Sequence, residues 1–143
     1  MAKKGFNKLP ALTKQVGKLA GKRINVGVFN DQAEKAIIHT YGTENCPPRP
    51  FLGPALNGHT QQYAAELAKI SDAAIADAVN SGKDPDFHIF DALRAMIEGD
   101  VKQFIKSNQV QPPTTAETNK RKGSDITLID TGKLVESITT RMK

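Results

Sequence analysis

The side chains able to bind a metal or run acid-base chemistry are few and scattered along this chain. It has three histidines and one cysteine in 143 residues. His39, His59 and His88 show no HExxH spacing, and Cys46 lies in a proline-rich loop without a CxxC partner. They read as ordinary histidines and an incidental thiol. No GxxxxGK[ST] loop, GxGxxG turn or GxSxG elbow is present, so phosphate cradling and acyl transfer lack their residues. Asp125, Asp130 and Lys133 come nearest to a nuclease-like set of acids and a lysine, but no second carboxylate stands at metal-binding spacing on a strand. The expectation is a protein that is not an enzyme, with no catalytic residue, cofactor or metal.

Charge is the stronger signal. The net charge is +5, with 20 lysines and arginines against 15 acids. The cations Lys3, Lys4, Lys8, Lys14, Lys18, Lys22 and Arg23 open the chain without an acid among them, and Lys120, Arg121 and Lys122 form a second run. Pro54 to Lys106 is acidic, with eight acids against five bases. Flexible cations suffice for phosphate contacts. No aromatic cluster for stacking on bases accompanies them, so any contact with DNA is expected to be passive. Lys3, Lys4, Lys8, Lys120, Arg121 and Lys122 are the candidate basic contacts, read first as solvated faces or partner-binding arms. No segment approaches the roughly 18 to 20 apolar residues of a membrane span, and MAKKGFNKLP lacks the apolar block of a signal peptide. Folding in a cytoplasm is expected.

The length predicts one α+β domain over 1–143. Leu9, Leu12, Val16 and Leu19 place a helix in a basic N-terminal arm, 1–22. Ile24, Val26 and Val28 alternate with Asn25 and Gly27, predicting a strand over about 23–29. Asp31 and Glu34 make a capping-box-like start for a helix with Ala33, Ile37 and Tyr41 on its apolar face, stopped at Gly42. Pro47, Pro48, Pro50 and Pro54 stiffen the next loop, which runs from Thr43 to Pro54. Apolar spacing predicts helices over about 54–80 and 86–106, packed as an antiparallel hairpin. Residues 107–126 read as a polar loop or mobile arm. Asp130 is placed to cap a short helical turn, and Ile138, Thr140 and Met142 mark a closing strand over about 137–142. The strand over 23–29 is its expected partner in a small antiparallel sheet.

Two blocks carry a resemblance. The first is Tyr41-Gly42-Thr43 followed by Arg49-Pro50-Phe51-Leu52 and Pro54-Ala55-Leu56. The second is Leu128-Ile129-Asp130-Thr131-Gly132-Lys133-Leu134 with Glu136-Ser137-Ile138. Their order, with two helices between them, resembles the neck and tail-completion (virion morphogenesis, minor tail) proteins of tailed bacteriophages, over roughly residues 24 to 142. The resemblance implies a structural virion protein that forms a closed ring, hexameric by analogy, at the head-tail junction. Its implied partners are further copies of itself, connector or head-completion proteins and tail-tube proteins, with genomic DNA passing through. It would assemble in the host cytoplasm and reside in the virion, as a neck ring or a tail terminator. The alternative is a small basic nucleic-acid-binding protein.

Arg49, Pro50, Phe51, Leu52, Asp130, Thr131, Gly132, Ser137 and Arg141 are the candidate assembly residues. Held between prolines, Arg49 is rigid enough to clamp a carboxylate or helix end of a neighbouring subunit; the same rigidity would equally brace the loop within its own chain. Phe51 and Leu52 are expected to anchor that loop on the helices, and Asp130-Thr131-Gly132 reads most simply as a cap and turn.

Overall fold

The computed structural model describes residues 9–115, 118, 120, 121 and 132–143. Lys3, Lys4, Lys8, Lys122, Asp125, Asp130 and Thr131 lie outside the described residues, and so does the cap expected from Asp130. In chain order the elements are α1 (Leu9–Ala20), β1 (Ile24–Val28), α2 (Ala33–Tyr41), α3 (Leu52–Asn57), α4 (Thr60–Ser81), a 3₁₀ turn (Phe87–Phe90), α5 (Asp91–Lys106), α6 (Lys133–Glu136) and β2 (Ile138–Met142). The fold is α+β. A two-stranded antiparallel sheet joins the N-terminal and C-terminal strands, and α4 and α5 are the long helix pair.

The sheet is set by one reciprocal pair: Arg23 and Lys143 exchange both backbone hydrogen bonds, at 2.6 and 2.9 Å. By the alternation of an antiparallel ladder, Asn25 then lies opposite Arg141 and Gly27 opposite Thr139, with backbone groups turned into the ladder. Ile24, Val26 and Val28 on β1 turn theirs outward, as does Thr140 on β2. A sheet of two strands is marginal on its own, and here a carboxylate on α5 holds it from outside. Glu98 Oε1 accepts the Thr140 N–H at 2.7 Å, the Thr140 hydroxyl at 2.7 Å and the Thr139 hydroxyl at 3.2 Å. Burial pushes the Glu98 carboxyl up, but these bonds, with Lys102 nearby, hold it below the usual glutamate range.

The chain divides into two compact units, each built from distant segments. The first comprises residues up to Asn25, Gln61–Arg94 and Arg141–Lys143. Its small interior contains Ala74, Ala78, Phe90 and Leu93. There α1 is tied to the turn after α4 by three contacts of different kinds. Gln15, 5% exposed, donates through Nε2 to the Lys83 carbonyl at 3.3 Å. Lys18 pairs with Asp84, and that hydrogen-bonded ammonium holds the Asp84 carboxyl below its usual range. The Lys22 ammonium sits 4.8 Å over the Phe87 ring. The described part of the basic arm is thus a docked helix.

The second unit, Val26–Thr60 with Ala95–Thr140, contains the larger core. Phe51, Val101, Ile105, Val110 and Ile138 are almost completely buried in it, with Val26 and Val28 packed partly against them. Val110 belongs to the stretch expected as a polar loop or mobile arm. The described start of that stretch has no helix or strand, yet it is anchored by this residue. A single buried valine gives no periodicity, so the anchor is invisible in the pattern.

Three local expectations differ from the structure. The helix expected over 54–80 is interrupted between Asn57 and Thr60, where Gly58 weakens it. Thr60 Oγ1 donates back to the Leu56 and Asn57 carbonyls, at 3.4 and 3.3 Å. At the start of α2 it is Asn30, not Asp31, that supplies the polar turn: its Oδ1 accepts from the Gln32 N–H at 3.0 Å. The apolar face expected on α2 is also displaced. Ala36 is buried, whereas Ile37 and Tyr41 are 58% and 77% exposed.

Replacing Glu98 by alanine removes the carboxylate bonds to the Thr140 amide and hydroxyl at a site 2% exposed, and should lower the unfolding free energy by about 1–3 kcal/mol. Folding depresses the Glu98 pKa, so its ionic contribution is complete above the ordinary 4.5 and fades as pH falls through the folded value. Thermal melts of wild type and Glu98→Ala should therefore differ more at neutral pH than in acid. A gap of equal size under both conditions would mean that the charge contributes nothing.

Candidate assembly surface

The first sequence block folds around a glycine. Gly42 ends α2 with φ of +76°, and a Cβ there would stand 2.7 Å from the Cys46 carbonyl oxygen and 2.8 Å from Pro48 N. Only glycine closes this turn without strain. Thr43 and Cys46 exchange backbone hydrogen bonds at 2.8 and 3.2 Å, and the returning chain lets the Arg49 N–H reach the His39 carbonyl.

That path turns the Arg49 side chain inward. It is 8% exposed, its Nε donates to the Pro112 carbonyl at 2.7 Å, and Nη1 approaches Cys46 Sγ at 3.6 Å. Of the two roles open to Arg49, the geometry favours the brace within its own chain. A planar donor array with a long aliphatic stem suits it, since it spans the gap to a proline-flanked carbonyl while its stem replaces water. Pro50 is exposed, Phe51 is fully buried and Leu52 is half-buried as it opens α3.

The second block meets the first. Gly132, at φ of +82°, leads into α6, and Leu134 and Val135 are 4% and 3% exposed. With Ile138 they share one hydrophobic cluster with Phe51 and Ala55. Ser137 accepts from Asn30 Nδ2 at 2.9 Å and donates to the Lys133 carbonyl at 2.6 Å, which closes α6 onto the segment after β1. Both blocks therefore contribute to one core, Phe51 and Ala55 from the first and Leu134, Val135 and Ile138 from the second, beside Ala36, Val101, Ile105 and Val110. Arg141 lies exposed on β2 beyond this cluster, and Lys120 and Arg121 are exposed.

Among the described residues, exposed apolar side chains group in two places. On the second unit, Ile37, Ile38 and Tyr41 of α2 are 58%, 39% and 77% exposed, and Phe29 is 38% exposed. On the first unit, α1 and α4 enclose an open groove of about 460 Å³ lined by Leu9, Leu12, Val16, Ile75 and Val79, with Asp72 and Asn80 also lining it. Sequence reasoning placed Ile37 and Tyr41 with Ala33 on one apolar helix face. The contrary signal lies in α2 itself. Ala33, Ala36, Ile37, Ile38 and Tyr41 occupy more of a nine-residue helix than one buried face can take.

Among the described residues no three histidine, cysteine or acidic side chains converge as a metal site. His59 stands 4.0 Å from Asp100, and His88 stands 3.3 Å from Asp91 on the surface. A different group of charges does converge: Arg23 opposite Lys143, with Arg141 two residues along, share one side of the sheet and are exposed.

Two substitutions test the turn. Gly42→Ala should destabilise the chain by about 1–3 kcal/mol through backbone strain and the contact with Cys46. Arg49→Ala should lower the denaturant midpoint of the isolated chain by a similar energy, since it leaves the Pro112 carbonyl unmet. Unfolding curves of both variants check this, and a wild-type midpoint for Arg49→Ala would return the guanidinium to an intersubunit role.

Comparison with protein-family models, with curated proteins and with solved structures finds nothing that matches this chain.

Proposed function

We propose that the chain is a structural subunit of a tailed-bacteriophage particle, forming a ring at the head-tail junction as a neck, tail-completion or terminator protein. The observation that carries this reading is the packing of Phe51 and Ala55, from the block that runs from Tyr41 to Leu56, with Leu134, Val135 and Ile138, from the block that closes at Ile138, in one core. The resemblance to such proteins rests on these same blocks, and their packing together supports treating them as one structural signature rather than two chance matches.

A closed ring needs two different surfaces on each subunit, one complementary to the other. The exposed α2 face and the groove between α1 and α4 are two such apolar surfaces on different units of the chain. Single exposed apolar residues are ordinary, but grouped ones mark contact sites. The exposed cations Arg23, Arg141 and Lys143 would suit passive contact with the phosphates of DNA moving through the ring. Connector and tail-tube proteins are the remaining partners of this reading.

Electron microscopy of the purified protein and of virions tests the proposal: rings, and matching density at the head-tail junction, are the expected result. Ile37→Asp combined with Tyr41→Asp should abolish the rings while changing the melting temperature little, because both side chains are already largely in water. Filter binding to duplex DNA across a salt series should give weak, sequence-independent retention. Tight binding by a monomer would favour the alternative, a small basic nucleic-acid-binding protein.

A further inference from the structure

The outer edge of β1 is used neither by the core nor by the two apolar surfaces. In the register set by Arg23 and Lys143, the N–H and C=O groups of Ile24, Val26 and Val28 point away from β2. Among the described residues, no strand pairs with that edge and no backbone group outside the ladder bonds to it. Such a row of donors and acceptors fits another extended strand and little else. Ile24–Val28 also lacks the features that keep edges single, having neither proline nor charge.

The other edge of the sheet is not equivalent. On β2 the outward N–H of Thr140 is held by Glu98, and Thr140 is 2% exposed. Head-to-tail pairing of β1 in one copy with β2 in the next is blocked at the middle residue of β2. The edge that a second copy can offer is its own β1.

We propose that β1 pairs antiparallel with β1 of a second copy about Val26, merging two two-stranded sheets into one of four strands. In this register Val26 lies opposite Val26 of the second copy, and Ile24 opposite its Val28. Arg23 comes beside the other copy's Phe29, which is 38% exposed in the single chain. Lys22 falls opposite Asn30, so no like charges meet across the pairing. The contact is isologous and two-fold, distinct from the heterologous contact of a ring, and it stands without the ring reading.

Val26→Pro is the decisive variant, because the Val26 N–H takes no part in the ladder with β2, and proline is tolerated where a strand's N–H faces outward. Light scattering after size exclusion should find wild type with an even number of copies, and Val26→Pro with half that number. If the chain forms no ring, a dimer becomes a monomer; if it forms rings, paired rings become single. Equal masses for the two proteins, or a monomeric wild type at high concentration, would overturn the proposal. Amide hydrogen exchange of wild type decides the matter even if the proline variant does not fold. The Val26 and Val28 amides should be protected at high concentration and lose at least tenfold of that protection on dilution; fast exchange throughout would sink the idea.

Discussion

The antiparallel pairing of Ile24–Val28 with Ile138–Met142 is the constraint on which the remaining structure depends. It closes nearly the whole described chain into one loop, and such closure is entropically unfavourable before any contact compensates it. Two strands cannot supply that compensation alone. It comes from elements between them in sequence: the apolar cluster that takes in Ile138 and Val26, and the carboxylate of Glu98, which binds β2 where, among the described residues, no third strand does.

Each unit adds a long polar side chain that reaches a backbone carbonyl in an irregular segment. Gln15 does so at Lys83 and Arg49 at Pro112. Carbonyls outside helices and strands must find a donor or stay in water, and a side chain that brings both a stem and a donor lets such segments be buried. These contacts are directional, so they select one arrangement where aliphatic packing alone would tolerate several.

Much of the element order was legible, for reasons particular residues make clear. The alternation of Ile24, Val26 and Val28 and of Ile138, Thr140 and Met142 identified both strands, and the need of each for a neighbour identified the pairing. Gly42 marked the end of α2 because its left-handed backbone is the one glycine permits most cheaply. The break at Gly58 was missed because the apolar spacing continues through it. The orientation of α2 was misread because a short helix with alanines and isoleucines around most of its surface has no single apolar stripe. Arg49 was recognised as rigid, but its inward direction depends on Pro112, sixty-three residues away in sequence, and no local pattern carries that information. The same holds for Val110, whose burial depends wholly on partners distant along the chain.

The turn at Gly42 bears on how kinship with this chain would be traced. Gly42 admits no side chain because Cys46 and Pro48 crowd it, and Arg49 reaches Pro112 only because that turn brings the chain back. Selection acting on the turn would therefore hold the glycine at 42 and the arginine at 49 together, while position 112, which offers only its backbone carbonyl, and the solvent-facing residues drift. A remote cousin would betray itself by two separated letters changing or persisting together, even after its overall similarity had decayed to noise.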